Sequence, residues 1–572
     1  MKRSKTPTFI HKIKLQPSQK DFYFLRDVFN ANRQLYNYLL GVGLKKIELI
    51  KNSKEYTKLR LDYKYFKNEK HTNQTLLNTK YFNENYNNLF KRFNFTQNDF
   101  QKIAKQFKDI QFKQYLDSDI IQKTSDKLFL VLKQYLFGKK GRPNFKSYND
   151  FSSIEGKSND NGLTFRGDKF VYKKRKIPCI FDLKDTYGVQ SHALTSRIKF
   201  CSLKIKEEKG KENIYLYLHL EGEPLLKDKN KTEKKNRKKR VSLDLGPSSY
   251  AIVGENKFTE LGLFSKSLSN TMEKRKVLQK KLQHKLRKNN PKNFEKDFEV
   301  KKGRKLVKKK GKIKPKTKRE PWVFSKSYLD IKKQVKELFR VEVEQRRIFN
   351  HELANKSLKQ GNIVHLEKIN YKSWQKMWGK SILNSSVSYF VKTLNKKSLQ
   401  NKGYSFEFPI YQTRLSQTCL CGSIKKKTLK ERFHICECSI YQQRDLFSAY
   451  LGLFVDKSNN LLDIDKASKS YPRFKQSMNN AVLKYQTASS LFLKKLGFTK
   501  TQIEQFALLN SNDNTSVMGN IVSQVKAESS QVASCGLSLK EDILLLEKNT
   551  LKYVELENYS FSKLKPTHFS VW

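Results

Sequence analysis

Between residues 240 and 455 the chain alternates short apolar runs with longer amphipathic ones, and no other feature constrains its fold as strongly. RVSLDLGPSSYAIVGENKFTELGLF (240–264) reads as a strand, a tight turn at Gly246 and Pro247, a second strand, and a third near 257–264. Asn270 and Glu273 then open a helix that carries Val277, Leu278, Leu282 and Leu286. Residues 325–358 form a second long helix, with Ile331, Val335, Leu338 and Ile348 along one side and Gly361 at its end. NIVHLEKI (362–369) reads as a strand, 384–400 as a helix, and YSFEFPIY (404–411) as another strand. Strands that alternate with helices in this way imply an α/β domain.

Upstream the pattern differs. TFIHKIKL (8–15) is strand-like, and Ser18 can cap the next segment with Asp21 at its third helical position. Phe22, Leu25, Phe29, Tyr36 and Leu39 fall on a helical stripe, and helical patterns broken by Asn-rich stretches continue to about residue 135. GRPNF (141–145) is a turn signal. From 151 to 222 apolar and polar residues alternate with period two, which predicts an all-β unit. A small barrel is the expected form, closed by an N-terminal strand or two. The chain is therefore expected to be a multidomain α+β protein.

The partner class follows from charge. The chain carries 117 Lys and Arg against 54 Asp and Glu, a formal net charge of +63. Residues 456–572 hold 15 basic and 11 acidic residues, so an excess of +59 lies upstream of them. KDKNKTEKKNRKKR (227–240) has nine basic and two acidic residues, and KKGRKLVKKKGKIKPKTKR (301–319) has twelve basic and none acidic. Such blocks repel themselves and read as solvated loops or linkers. They neutralise phosphates without reading sequence, or serve as nuclear localisation signals; composition does not separate the two. A polyanionic partner, most simply nucleic acid, fits this excess. No apolar run approaches the roughly 20 residues of a membrane span, so no membrane partner is expected. The N-terminal MKRSKTPTFIHKIKLQ lacks an apolar signal segment, so secretion is not indicated.

Three acids stand out. Asp244 lies among Val241, Leu243 and Leu245, and Glu367 lies near the end of a run with Ile363, Val364, Leu366 and Ile369. Asp445 opens the helical RDLFSAYLGLF, where an acid suits a helix N-terminus. An acid in an apolar strand costs several kcal/mol unless it is solvated, paired or metal-bound. Two or three brought together repel each other, and divalent cations remove that repulsion. Two Mg²⁺ roughly 3.5–4 Å apart can activate water and stabilise the leaving oxygen of a phosphodiester. Oxygen ligands suit Mg²⁺ or Mn²⁺. Taken singly, Asp244 can be a turn former, Asp445 a helix cap, and Glu367 a solvent-facing residue of an edge strand. His365 shares a strand face with Glu367 and reads as structural.

Four of seven cysteines fall within TCLCGSIKKKTLKERFHICECS (418–439): Cys419, Cys421, Cys436 and Cys438. Four thiolates in a short hairpin suit a closed tetrahedral Zn²⁺ site; disulfides or inert thiols are the alternatives. Usual knuckles place two residues between the cysteines and here each has one, so His434 could replace one thiolate. Cys179, Cys201 and Cys535 are scattered and read as structural.

Taken in order, these segments resemble the TnpB (OrfB) family of transposon-encoded RNA-guided nucleases, relatives of type V CRISPR effectors. VSLDLGPSSYAIV resembles the first RuvC-type motif, NIVHLEKINY the second, and QRDLFSAYL the third; LSQTCLCGSIKKKTLKERFHICECS resembles the inserted zinc ribbon. The resemblance is specific over roughly 240–455 and looser over 8–225, where TFIHKIKLQPSQKDFYFL and GRPNFKS look like wedge and recognition regions. It is absent over the last hundred or so residues. The resemblance implies a first wedge strand in 1–15, a helical recognition region in 16–140, the rest of the wedge barrel in 141–226, and a basic linker in 227–240. It further implies an RNase H-like, RuvC-like nuclease domain in 241–455 with the basic insertion 301–319 and a zinc ribbon at 416–440, then a C-terminal extension over 456–572. The implied activity is Mg-dependent, RNA-guided DNA endonuclease chemistry, with Asp244, Glu367 and Asp445 catalytic and holding Mg (or Mn), and Cys419, Cys421, Cys436 and Cys438 holding Zn. Guide RNA and target double-stranded DNA are the implied partners. The implied location is cytoplasmic and nucleoid-associated, or nuclear in a eukaryotic or viral source. The rival readings are a nuclease-silent RNA-guided repressor, an accessory transposase protein, and a basic RNA-binding protein.

Overall fold

The computed structural model describes residues 6–68, 75–264, 269–303, 305–428 and 431–511. They fall into two compact units that divide between Leu225 and Leu226.

The first unit opens on β1 (Thr8–Leu15), followed by α1 (Gln19–Asn52), α2 (Lys54–Asn68), α3 (Thr75–Arg92), α4 (Gln97–Phe107) and α5 (Ser118–Leu136). Polar side chains start these helices. Ser18 Oγ accepts the Asp21 N–H, Thr96 and Asp99 form a reciprocal capping box, and Asp117 accepts the Ile120 N–H at 2.8 Å. The stripe of α1, with Leu25, Val28, Phe29, Leu35 and Leu39, is buried against α4, α5 and the strands. The chain then runs through β2 (Ser153–Glu155), β3 (Thr164–Arg166), β4 (Lys169–Tyr172), β5 (Arg175–Ile180), α6 (Val189–Thr195), β6 (Ile198–Glu208) and β7 (Lys211–Glu221). The antiparallel sheet has the order β2-β6-β7-β1-β5-β4-β3. β1 lies inside it, paired on one side with β7 and on the other with β5. The sheet curls until β3 approaches β6, but its hydrogen-bonded order stays open, ending in β2 and β3. This is a curled sheet and not the expected closed barrel: β2 pairs only with β6 and β3 only with β4, so the two end strands are not joined to each other.

The second unit begins with β8 (Arg240–Leu245), β9 (Ser249–Gly254) and β10 (Thr259–Leu263), an antiparallel meander. Next come α7 (Ser269–Asn289), β11 (Phe298–Lys302), β12 (Lys305–Lys309) and α8 (Lys326–Gln360). β13 (Ile363–Glu367), α9 (Tyr371–Ser385), α10 (Val387–Gln400), β14 (Tyr404–Phe408) and α11 (Ile410–Thr413) follow. β15 (Phe433–Ile435), β16 (Tyr441–Gln443), α12 (Arg444–Gly452), α13 (Ile464–Leu483), α14 (Ser490–Leu496) and α15 (Lys500–Ser511) complete it. The five-stranded sheet has the order β10-β9-β8-β13-β14, with β13 parallel to both neighbours. Alternation divides its faces. Val241, Leu243, Val364 and Leu366 pack beneath Leu353 and Leu358 of α8 and Phe390 and Leu394 of α10. The other face, with Ala251, Val253, Leu261, Phe406 and Phe408, meets Phe447 and Tyr450 of α12 and Phe474 and Met478 of α13. Burial on both faces accounts for the near-continuous apolar strands.

Local expectations changed in four places. The strand expected over 404–411 stops at Phe408, because Pro409 has no N–H for the ladder. Residues 371–385 add a helix, separated from α10 by Ser386 in the left-handed conformation. The basic runs are not simple solvated loops. In 227–240, buried Thr232 donates to the Leu358 carbonyl and Asn236 to that of Lys359, so this run caps the C-terminal end of α8. In 301–319, part of the chain forms the β11–β12 hairpin. The amphipathic LSLKEDILLLEKN and Cys535 lie outside the described residues. Among the described residues, no helix is long and apolar enough to cross a membrane.

Candidate functional site

Strand register sets the first two acids side by side. Leu366 of β13 pairs with Leu243 of β8, and one step further along the same parallel register sets Glu367 level with Asp244. Paired residues of adjacent parallel strands share a face and lie about 4.8 Å apart. That face is the one covered by α12, since Leu243 and Leu366 belong to the opposite core. β13 lies between β8 and β14, so Glu367 is not on an edge strand. Asp244 pairs with Ala251 inside the β8–β9 ladder, so it is not a turn residue.

Helix α12 brings the third acid. Its C-terminal end is anchored one pleat back: buried His365 Nδ1 lies 2.9 Å from the Gly452 carbonyl. A Cβ on Gly452 would come within 2.3 Å of Ser242 Oγ. The helix therefore lies close on the sheet, with Asp445 in its first turn. The N-cap is Gln443, whose side chain accepts the Leu446 N–H at 2.6 Å, so the Asp445 carboxylate is not used for capping. It meets two guanidinium groups instead, Arg444 Nε at 3.4 Å and Arg432 Nη1 at 3.8 Å.

The electrostatics register the crowding. Burial raises the Asp244 carboxyl well above its ordinary range; the charges of Asp445 and Glu367 raise it further, and Arg444 and Arg432 oppose them. Burial pushes Glu367 up to about 7. All three acids keep part of their surface open to solvent. Two raised carboxyls with a third acid beside them form a site short of positive charge, and their hard oxygen donors suit Mg²⁺ or Mn²⁺. The carboxylates do not close to single-ion spacing; among the described residues only the four cysteines do. His365 is not part of this chemistry: burial lowers it to about 4, and its ring supports α12.

The cysteine cluster is tight. All four Sγ atoms lie within 4.8 Å of one another, with Cys419 and Cys438 3.4 Å apart and Cys421 and Cys436 3.6 Å apart. A tetrahedron of Zn–S bonds near 2.3 Å has edges of about 3.8 Å, so the donors fit zinc. The short spacing is accommodated by two matching turns. In each, the first cysteine N–H donates to the carbonyl four residues on: Cys419 to Ser423 at 2.9 Å and Cys436 to Ile440 at 3.1 Å. The residue three positions on is left-handed in both, Gly422 at φ +83° and Ser439 at φ +65°. Gly422 and Ser439 return their N–H groups to Cys419 and Cys436, both at 3.1 Å. His434 is outside the tetrad; its Nδ1 lies 2.5 Å from Lys427 Nζ. Cys179 and Cys201, in the first unit, are free thiols.

Arg432, Arg444 and the Ser423 hydroxyl between Cys421 and Cys436 went unread in the sequence. Arg444 adjoins Asp445 and carried a weak signal. Arg432 carried none, because it reaches Asp445 only through the pairing of β15 with β16.

No known protein family matches the chain, and no curated protein does. Among solved structures, a cryo-EM Cas12f1–sgRNA–target DNA complex is similar at 12% identity and TM-score 0.37, covering 78% of this chain and 98% of that one. A CRISPR-Cas12f ternary complex is similar at 13% identity and TM-score 0.24, covering 76% and 85%. Scores at this level do not define a common fold.

Proposed function

We propose that this chain is an RNA-guided DNA endonuclease of transposon origin. Asp244, Glu367 and Asp445 would hold Mg²⁺ (or Mn²⁺) and carry catalysis, and Cys419, Cys421, Cys436 and Cys438 would hold a structural Zn²⁺. The observation that carries the reading is that Asp244 and Glu367 each lie one step past the paired Leu243 and Leu366, on the α12 face of the sheet, and that the charges of Glu367 and Asp445 both act on Asp244. A divalent cation there would neutralise the acids, activate water and stabilise the leaving oxygen of a phosphodiester. The chain's own residues do the rest. β8 and β13 hold two oxygen donors in one register, while Gln443 frees Asp445 from capping. Arg432 and Arg444 would keep Asp445 oriented, and the part of the acids left open to solvent is where a sugar–phosphate chain would approach.

Guide RNA and target double-stranded DNA are the proposed partners, supported by the +59 excess over residues 1–455. The purified protein with its own transcript should cut matching DNA in Mg²⁺ and not in EDTA. Asp244→Ala should abolish cutting while leaving binding intact, and normal cutting by that variant would refute the assignment. Guided binding without cutting by the parent chain would instead favour the nuclease-silent repressor, the reading that the arginine pairing of Asp445 allows.

A further inference from the structure

The insertion between β10 and α8 is a built element. Helix α7 packs antiparallel on α8: Arg275 Nε meets Glu342 at 2.6 Å, and its guanidinium lies over the Phe339 ring. Glu342 is 1% exposed, so this pair is a buried clamp. From its start after the sheet, α7 spans about 30 Å, which carries the β11–β12 hairpin to the far end of a helical arm.

The neck of the hairpin is closed by two buried asparagines that act as backbone. Asn290 donates to the Val323 carbonyl at 2.8 Å and accepts its N–H at 2.7 Å. Asn293 does the same with Glu320, at 3.0 and 2.7 Å. Arg287 donates to the Gly311 carbonyl and stacks on Phe294, which in turn meets Trp322. A Cβ on Gly311 would come within 1.9 Å of the Glu295 carbonyl oxygen, so the two chains touch there.

This ordered arm concentrates positive charge. Residues 269–319 contain 22 basic and 4 acidic residues, a net charge of +18. Lys310 pairs with Asp297, and Glu299 stands opposite Lys308 in the hairpin register. Phe298 and Leu306 are exposed between the lysines. A fold that pins so many like charges in one place pays in self-repulsion, which a polyanion offsets.

We propose that the β11–β12 hairpin is a preformed grip for the phosphodiester backbone of nucleic acid, held away from the sheet by α7 and α8. The inference rests on the functional reading above only for the presence of nucleic acid; it does not require cleavage. The test is binding in EDTA by the full chain and by a Lys301→Gln, Lys308→Gln, Lys312→Gln, Lys314→Gln variant, each titrated against salt. Duplex DNA, single-stranded RNA and duplex RNA are separate arms, which identify the bound strand. For at least one of them, the slope of log affinity against log salt should fall by about 3–4, since each lost contact to duplex DNA removes about 0.9. Gly311→Ala keeps every charge but breaks the neck, and should weaken the same binding several-fold. Unchanged slopes in all three arms overturn the proposal, as does a Gly311→Ala protein that binds as tightly as the parent. Binding to phosphatidylserine vesicles that the lysine variant loses, with nucleic-acid slopes intact, assigns the arm to membranes and also overturns it. Cleavage in Mg²⁺ is scored separately, so loss of the grip and loss of the nuclease reading are distinct results.

Discussion

A carboxyl held above its ordinary range opposes folding whenever it is ionised. For Glu367 the folded value is about 7, against roughly 4.3 in an unfolded chain. The folded state then binds the extra proton, so stability falls as pH rises from about 4 through 7 and levels off above it. Without divalent cations, Glu367→Gln should therefore stabilise the protein at pH 8 by on the order of 2 kcal/mol and change little at pH 4. Thermal melting at the two pH values checks this. Equal effects at both would show that Glu367 carries no raised proton affinity. Mg²⁺ should raise the melting temperature of the parent at pH 8 and leave that of Asp244→Asn unmoved, because the variant lacks one of the paired donors.

Among the elements, α12 and the cysteine turns decide whether the site holds together. Gly452→Ala forces the Ser242 hydroxyl aside or lifts the helix, and overpacking of this kind costs about 1–3 kcal/mol. The expected result is a lower melting temperature, with a larger loss of Mg²⁺-dependent activity, because Asp445 moves with the helix. Ser439 occupies a left-handed position that its counterpart Gly422 fills without strain. Ser439→Gly should stabilise the zinc-loaded protein by about 1 kcal/mol, read by thermal melting, and a loss of stability would refute the matching-turn description. Metal analysis should find one zinc per chain, and Cys421→Ser should lower that content. The back of the ribbon also packs on residues far beyond it: Phe433 meets the Phe498 and Phe506 rings at a tilt, and Gln442 donates to Asn479. Residues 464–511 thus belong to the core of the second unit.

Across the whole molecule, what could be read in advance was periodic, and what could not was pairwise. Strand β1 and the apolar run around Asp244 announce themselves by alternation and burial. Asp244 and Glu367 are far apart in sequence, and only the parallel register of β8 and β13 makes them neighbours; each stands out singly as an acid in an apolar run, but no periodic pattern ties one to the other. The basic run 301–319 misled for a physical reason. Like charges favour solvated loops, and the neck that orders them depends on Asn290 and Asn293, two residues without any periodic signal. The curled sheet escaped for a similar reason, since alternation tells which face is buried but not whether the last strands meet. If Asp244, Glu367 and Asp445 act together on divalent cations, electron paramagnetic resonance of Mn²⁺ titrated into the zinc-loaded protein should show saturable binding. That binding should be competed by Mg²⁺ and lost in Asp244→Ala and Glu367→Gln. A parent chain that binds no Mn²⁺, or variants that bind it as the parent does, would contradict this reading.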